Sequence, residues 1–154
     1  YPDELLAQCD WVVASVHSAM GSGGKDKLSG TERTLAAIEN RYVCAIGHPT
    51  GRLINQRKAM ELDMGQVVAA AAKNHTMLEV NANWRRLDLK DAHVRMAVEA
   101  GVMITINTDA HKPEDFDQLP FGVITARRGG ATKKDVANCL TPAQLKKRVA
   151  KKRG

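Results

Sequence analysis

The feature that most restricts the fold of this chain is an alternation that runs through its first two thirds. Short apolar runs rich in β-branched residues alternate with amphipathic stretches of helical period. The runs are Trp11 to Val16, Tyr42 to Ile46, Met77 to Val80 and Val102 to Ile106. Between them lie the helical patterns Thr31 to Glu39, Asp63 to Lys73 and Leu89 to Ala100. Thr31, Asp63 and Asp88 are placed as N-caps, and Gly101 is placed to end its helix. The order βαβαβαβ predicts parallel strands joined by right-handed crossovers.

After His111 the pattern shortens. Pro113 to Asp117 reads as a turn or short helix, Phe121 to Arg128 as a helix, and Thr132-x-x-Asp135 as a helix start after Gly129-Gly130. Thr141 as N-cap with Pro142 at the first helical position opens a last helix, which runs into Lys146-Lys147-Arg148 and Lys151-Lys152-Arg153. The net charge of +6 is unevenly spread. Residues 1–126 carry 13 basic and 16 acidic side chains, whereas residues 127–154 carry 10 basic and one acidic. Two physical roles suit that basic tail: following a phosphate backbone near the site, or complementing the last helix's dipole and keeping it soluble.

With 44% apolar residues, the body of the chain can pack a core. No apolar run approaches the roughly 18 residues of a membrane span, so no membrane partner is expected. No basic segment followed by an apolar stretch opens the chain, so no signal peptide is expected. The missing initiator Met suggests a fragment or a processed chain. Cys9, Cys44 and Cys139 are odd in number and widely spaced, which suits a reducing, cytoplasmic setting.

The chemistry is expected at the strand ends. The first strand ends at His17, the second at His48, the third at Asn81, and the fourth at Asp109 with His111. The steps of 31, 33 and 28 residues each match one βα unit. In parallel sheets and barrels, consecutive strand ends open onto one face. His17, His48, Asp109 and His111 are therefore expected to converge, and three imidazoles with one carboxylate suit Zn, Mn or Fe better than Mg or Ca. His75 and His93 fall outside this register and read as solvent-facing or structural. Arg52, Arg85 and Arg86 follow the second and third strand ends and are candidates for contact with an anionic substrate. Trp84, beside Arg85, is placed to stack on a base but reads first as a packing residue. The stretch from Gly21 to Gly30 fails the P-loop spacing and reads as a flap or a solvated loop.

Several motifs carry a family resemblance. Ser15-Val16-His17-Ser18, Gly47-His48-Pro49-Thr50-Gly51-Arg52 and Asn107-Thr108-Asp109-Ala110-His111 resemble successive motifs of the PHP (polymerase and histidinol phosphatase) superfamily. Ala37-Ile38-Glu39-Asn40, Glu79-Val80-Asn81-Ala82-Asn83, Arg86-Leu87-Asp88-Leu89, Phe121-Gly122-Val123 and Ala126-Arg127-Arg128-Gly129 are similar to the PHP domain of bacterial and archaeal family X DNA polymerases. The resemblance implies a distorted (βα)7 barrel with up to three divalent transition metals on its C-terminal face. It implies a 3′–5′ exonuclease or related DNA-end phosphoesterase using metal-activated water. His17, His48, Asp109 and His111 would be metal ligands, and DNA 3′ ends the partner.

The family's opening H-x-H motif, a further His and a bridging Glu would all lie upstream of His17, and none occurs here. The chain is therefore expected to be the C-terminal portion of a PHP barrel over residues 1–128. Residues 129–154 would form a basic helical extension. About four parallel strands with outer helices would leave two open sheet edges and an apolar inner face, inviting self-association or the missing half of the barrel and the polymerase domain. Two other functions fit the same residues: a stand-alone PHP phosphatase acting on a small phosphoester of the histidinol phosphate type, or a non-catalytic structural or DNA-contact module.

Overall fold

The computed structural model describes residues 1–17 and 28–154. Most of the stretch read as a flap or loop, and Ser18 of the first motif, lie outside the described residues. Four strands, β1 (Val13–Ala14), β2 (Ala45–Ile46), β3 (Met77–Asn81) and β4 (Ile104–Asn107), form one sheet in the order β1-β2-β3-β4, every pair parallel. The helices are α1 (Asp3–Leu6), α2 (Gly30–Glu39), α3 (Met64–Lys73), α4 (Asp91–Glu99), α5 (Leu119–Arg128) and α6 (Pro142–Arg153), with short 3-10 turns at Pro113–Gln118, Lys133–Asp135 and Ala137–Cys139. The class is α/β, a partial (βα) barrel, as the alternation required.

Side-chain caps set the starts of α2, α3 and α6. Asp63 caps α3 as expected, its Oδ1 accepting the Gln66 N–H at 3.0 Å, and Thr141 caps α6 in a box with Gln144. Gly101, at φ +75°, ends α4 as expected. Thr31 is not the cap of α2. Ser29 is: its Oγ accepts the Glu32 N–H, and the Glu32 carboxylate accepts the Ser29 N–H at 2.7 Å. Asp88 is not a cap either, because Lys90 occupies that position and Asp88 is wholly buried.

The period-2 alternation of strand side chains divides the interior into two regions. Ile46, Leu78, Val80, Ile104 and Ile106 face one way into the main core, shared with Ile38 of α2, Val67 and Val68 of α3, Val94 and Ala97 of α4 and Ala126 of α5. Residues of the opposite parity change character along the strands. Ala45, Met77 and Met103, near the strand N-termini, form a small apolar cluster with Ala137, Trp11, Leu140 and Leu145. Farther along the same face come Glu79, Asn81 and Thr105, all buried, and then Asn107. The inner face is thus apolar only at its lower end, where α6 and its approach cover it, and polar where it nears the strand C-termini. This corrects the expectation of an exposed apolar inner face.

The edge of β4 is also less open than expected. Val136 bridges Ile104, and the Asn138 side-chain amide accepts the Ile106 N–H at 2.8 Å and donates to the Ile106 carbonyl at 2.9 Å. One side chain thereby supplies the donor and acceptor a neighbouring strand would offer, which blunts the edge. At the other edge, Val13 of β1 is 45% exposed.

Residues 129–154 pack back onto the sheet, and α6 lies at its N-terminal end. Lys152 is buried, with Nζ donating to the Ile38 carbonyl at 2.6 Å, and Arg153 donates to the Cys9 carbonyl at 2.5 Å. Arg41 returns a hydrogen bond to the Arg153 carbonyl. Ile38, Arg41 and Cys9 all precede the strands of their units, so the basic helix sits away from the strand C-termini. The expectation that the tail follows a phosphate backbone near the site is corrected by this placement.

Candidate functional site

Close approach of β1 and β2 begins the site. A Cβ on Gly47 would fall 2.7 Å from Ser15 Oγ and 3.0 Å from Val13 Cγ1, so only glycine lets the two strand ends meet this tightly. Immediately beyond, the His17 and His48 rings lie edge to face with centroids 5.1 Å apart. His48 and Asp109 have φ of 29° and 56°. Both turn the chain in the left-handed region directly after a strand, a conformation that the surrounding structure must hold in place.

Two buried carboxylates hold the loop that carries His48. Glu79 Oε2 accepts the His48 backbone N–H at 2.6 Å, and Asp88 Oδ2 accepts the Thr50 N–H at 3.0 Å. Glu79 also accepts from Asn107 Nδ2 at 2.9 Å and, more weakly, from Asn81 Nδ2 at 3.4 Å. Burial pushes the Glu79 carboxyl above its ordinary range, against the pull of these hydrogen bonds. Burial pushes Asp88 up to about 6. Sequence reasoning singled out neither carboxylate as functional. Glu79 could have been found from its parity, since an acid between Leu78 and Val80 in a buried parallel strand needs partners.

The His48 imidazole is held below its ordinary value, first by burial, then by the Arg86 guanidinium, with Asp109 pulling the other way. Its Nδ1 is buried without a hydrogen-bond partner. Arg86 lies with Nε 3.8 Å from Asp109 Oδ2, and its Nη1 is buried and unpartnered. The structure therefore brings His17, His48, Asp109 and Arg86 together. His111 is exposed and turned to its own loop: its Nδ1 lies 2.7 Å from the Asp109 carbonyl, and its N–H donates to Asp115. Beside Asp109 opens a cleft of about 410 Å³ lined by Asn107, Phe116, Leu119 and Asn138.

The remaining arginines divide. Arg52 donates from Nε to the Arg86 carbonyl at 2.6 Å and from a terminal nitrogen to the Leu87 carbonyl, bracing the loop that presents Arg86. Arg85 is exposed, with its guanidinium carbon 5.1 Å from the centre of the Trp84 ring. Trp84 is 56% exposed, which corrects its reading as a packing residue. His75 and His93 are half-buried, each held below its ordinary value mainly by burial.

The donor types fit a transition metal: two neighbouring imidazoles, one with a buried nitrogen lacking a partner, and a carboxylate nearby. Among the described residues, no three His, Cys, Asp or Glu side chains already stand together as a cage.

No family model matches the chain. Over 138 residues it is 43% identical to the DNA polymerase/3′-5′ exonuclease PolX of Bacillus subtilis, a match covering 90% of this chain and 24% of that relative. The chain is thus similar, over most of its length, to one part of that polymerase. It is also 27% identical over 143 residues to a probable phosphatase of Thermoanaerobacter sp. strain X514, covering 89% of this chain and 56% of the relative. A probable phosphatase of Caldicellulosiruptor bescii is 29% identical over 120 residues, or 75% of this chain and 47% of the relative. The chain thus spans about a quarter of PolX and about half of each phosphatase. Polymerase and phosphatase names together agree with the PHP resemblance of the motifs.

Proposed function

We propose that this chain forms the C-terminal portion of a PHP-type metal-dependent phosphoesterase which, within the whole protein, trims DNA ends in the 3′–5′ direction. The observation that carries this is the meeting of His17, His48, Asp109 and Arg86 at the ends of parallel strands. His17, His48 and Asp109 would hold Mn, Zn or Fe, with His111 joining them once its ring leaves the Asp109 carbonyl. Such metals, when bound, neutralise phosphate charge and lower the pKa of water toward neutrality.

The chain's own residues supply the rest. Arg86 holds a largely buried guanidinium beside Asp109, with Nη1 lacking a partner, a group suited to a phosphate oxygen. Its position depends on the brace from Arg52. Glu79 fixes the His48 main chain, so the position from which the ring projects does not rest on the loop alone. At the rim, Trp84 with Arg85 presents an exposed ring on which a terminal base can stack. Three unpaired cysteines suit a reducing, cytoplasmic compartment. Among the described residues no helix is long and apolar enough to cross a membrane.

The test is calorimetric titration of the 154-residue chain with Mn²⁺, alongside hydrolysis of an oligonucleotide labelled at its 3′ end. Weak Mn²⁺ binding that His48→Ala and Asp109→Asn abolish, with little or no turnover by the chain alone, is the expected result. Binding unchanged in both variants would refute the assigned ligands. Rapid turnover by the chain alone would refute its dependence on the rest of the protein. The phosphatase relatives support a second reading, hydrolysis of a small phosphomonoester. It predicts that the whole protein prefers such a substrate to the oligonucleotide.

A further inference from the structure

The last helix carries six basic residues, Lys146, Lys147, Arg148, Lys151, Lys152 and Arg153, and no acidic one. Among the described residues the ion pairs are Arg86–Asp109 and Arg128–Asp91, so α6 contributes to neither. Lys146, Lys147 and Lys151 are exposed. The helix that presents them is firmly seated. Leu145 packs with Ala45, Met77 and Met103, Lys152 and Arg153 hold the carbonyls of Ile38 and Cys9, and the guanidinium carbons of Arg41 and Arg153 lie 5.8 and 5.7 Å from the Tyr42 ring centre. His75 lies close enough to Arg148, Lys151 and Lys152 for all three to lower its pKa, although burial is the larger cause. A concentrated, unpaired positive field therefore stands on a rigid support.

We propose that the outward face of α6 is a second, sequence-independent nucleic-acid contact, which holds a phosphodiester backbone at the N-terminal end of the sheet. The candidate site lies past the opposite ends of the same strands. Five-residue β3 alone separates the two by about 17 Å at roughly 3.3 Å per residue. This contact therefore raises retention of nucleic acid and takes no part in the chemistry. A linear polyanion suits it better than a membrane. No large apolar side chain of α6 is among the exposed ones, and a helix lying in a lipid interface needs an apolar face to bury.

The test uses the full 154-residue chain and the affinity for a labelled single-stranded oligonucleotide of mixed sequence, measured against salt. Lys146→Gln, Lys147→Gln and Lys151→Gln combined are expected to reduce the slope of log K against log salt by about 2, at roughly 0.7 per lost phosphate contact. Between 50 and 200 mM salt this amounts to roughly a fifteen-fold difference in how affinity declines. Arginine at the same three positions is expected to restore the slope, which separates charge from any change in folding. Because affinity is read without turnover, a failure of the proposed enzyme activity leaves this result intact. An unchanged slope in the glutamine variant, no measurable binding by the parent at low salt, or binding to anionic vesicles but not to oligonucleotides would each overturn the proposal.

Discussion

Replacing Asp88 with asparagine is expected to change stability in a way that depends on pH. Asp88 is 0% exposed, and burial lifts its carboxyl from 3.8 to about 6 despite the Thr50 N–H and the nearby Arg52. A carboxyl whose pKa is raised by folding stabilises the folded state below its unfolded pKa and loses that contribution as pH rises through the folded one. Here the loss runs from about pH 4 to about pH 6. A shift of about two units corresponds to about 3 kcal/mol, of which roughly half has appeared by pH 5. The introduced amide could still accept the Thr50 N–H through its oxygen, and its nitrogen would replace Asp88 Oδ1, which is buried without a partner. That replacement adds an offset that does not vary with pH. The assay is urea unfolding of both proteins at about pH 3.5, 5, 6 and 7.5, which brackets the window. Stability of the variant minus that of the parent should rise by about 3 kcal/mol across the range, which is about 6–12 °C in Tm for a domain of this size. Histidines such as buried His48 and half-buried His93 lose stability in acid, but they are common to both proteins and cancel in the difference. A difference that stays flat with pH would refute the assignment of a buried, titrating Asp88.

Tight packing under α5 is tested by two glycines. A Cβ on Gly129 would lie 2.5 Å from Val94 Cβ and 2.7 Å from the Asp91 carbonyl, so Gly129→Ala is expected to cost about 2–3 kcal/mol in thermal or urea unfolding. Gly122→Ala meets Ala82 Cβ and Ile106 Cγ2 at 2.7 Å. Its cost, about 1–2 kcal/mol, is smaller because alanine's helix preference returns about 1 kcal/mol. Glu79→Leu strips the His48 N–H and the Asn107 amide of their buried acceptor and should destabilise by about 2–4 kcal/mol in urea, with Mn²⁺ affinity falling in the same protein. Trp84→Ala should weaken single-stranded DNA binding by about 1–3 kcal/mol while leaving Tm nearly unchanged, because the ring is 56% exposed; a large drop in Tm would contradict its place at the rim.

Four strands, their parallel order and the face on which His17, His48 and Asp109 emerge were legible because each rests on local information. Periodicity distinguishes strand from helix, and one βα unit per step sends every strand end the same way. Asp63, Gly101 and Thr141 were readable for the same reason: a cap needs only its own turn. Other features depend on neighbours distant in sequence. Arg52 and Arg86 both follow strand ends, yet one braces a loop while the other faces Asp109, and only the Arg52 contact with the 86–87 carbonyls separates them. Asn138 completes the edge of β4 from 32 residues away. Most consequential is α6. Its charge is plain in the amino-acid order, but position relative to a sheet is set by packing. Leu145 enters the lower core and Lys152 reaches the Ile38 carbonyl, which carries the positive field to the far end of the strands. The sequence by itself determined the chemistry available at each end of this sheet. The tertiary structure alone decided which end received which, because buried apolar contacts and satisfied carbonyls, not net charge, fix where a helix docks.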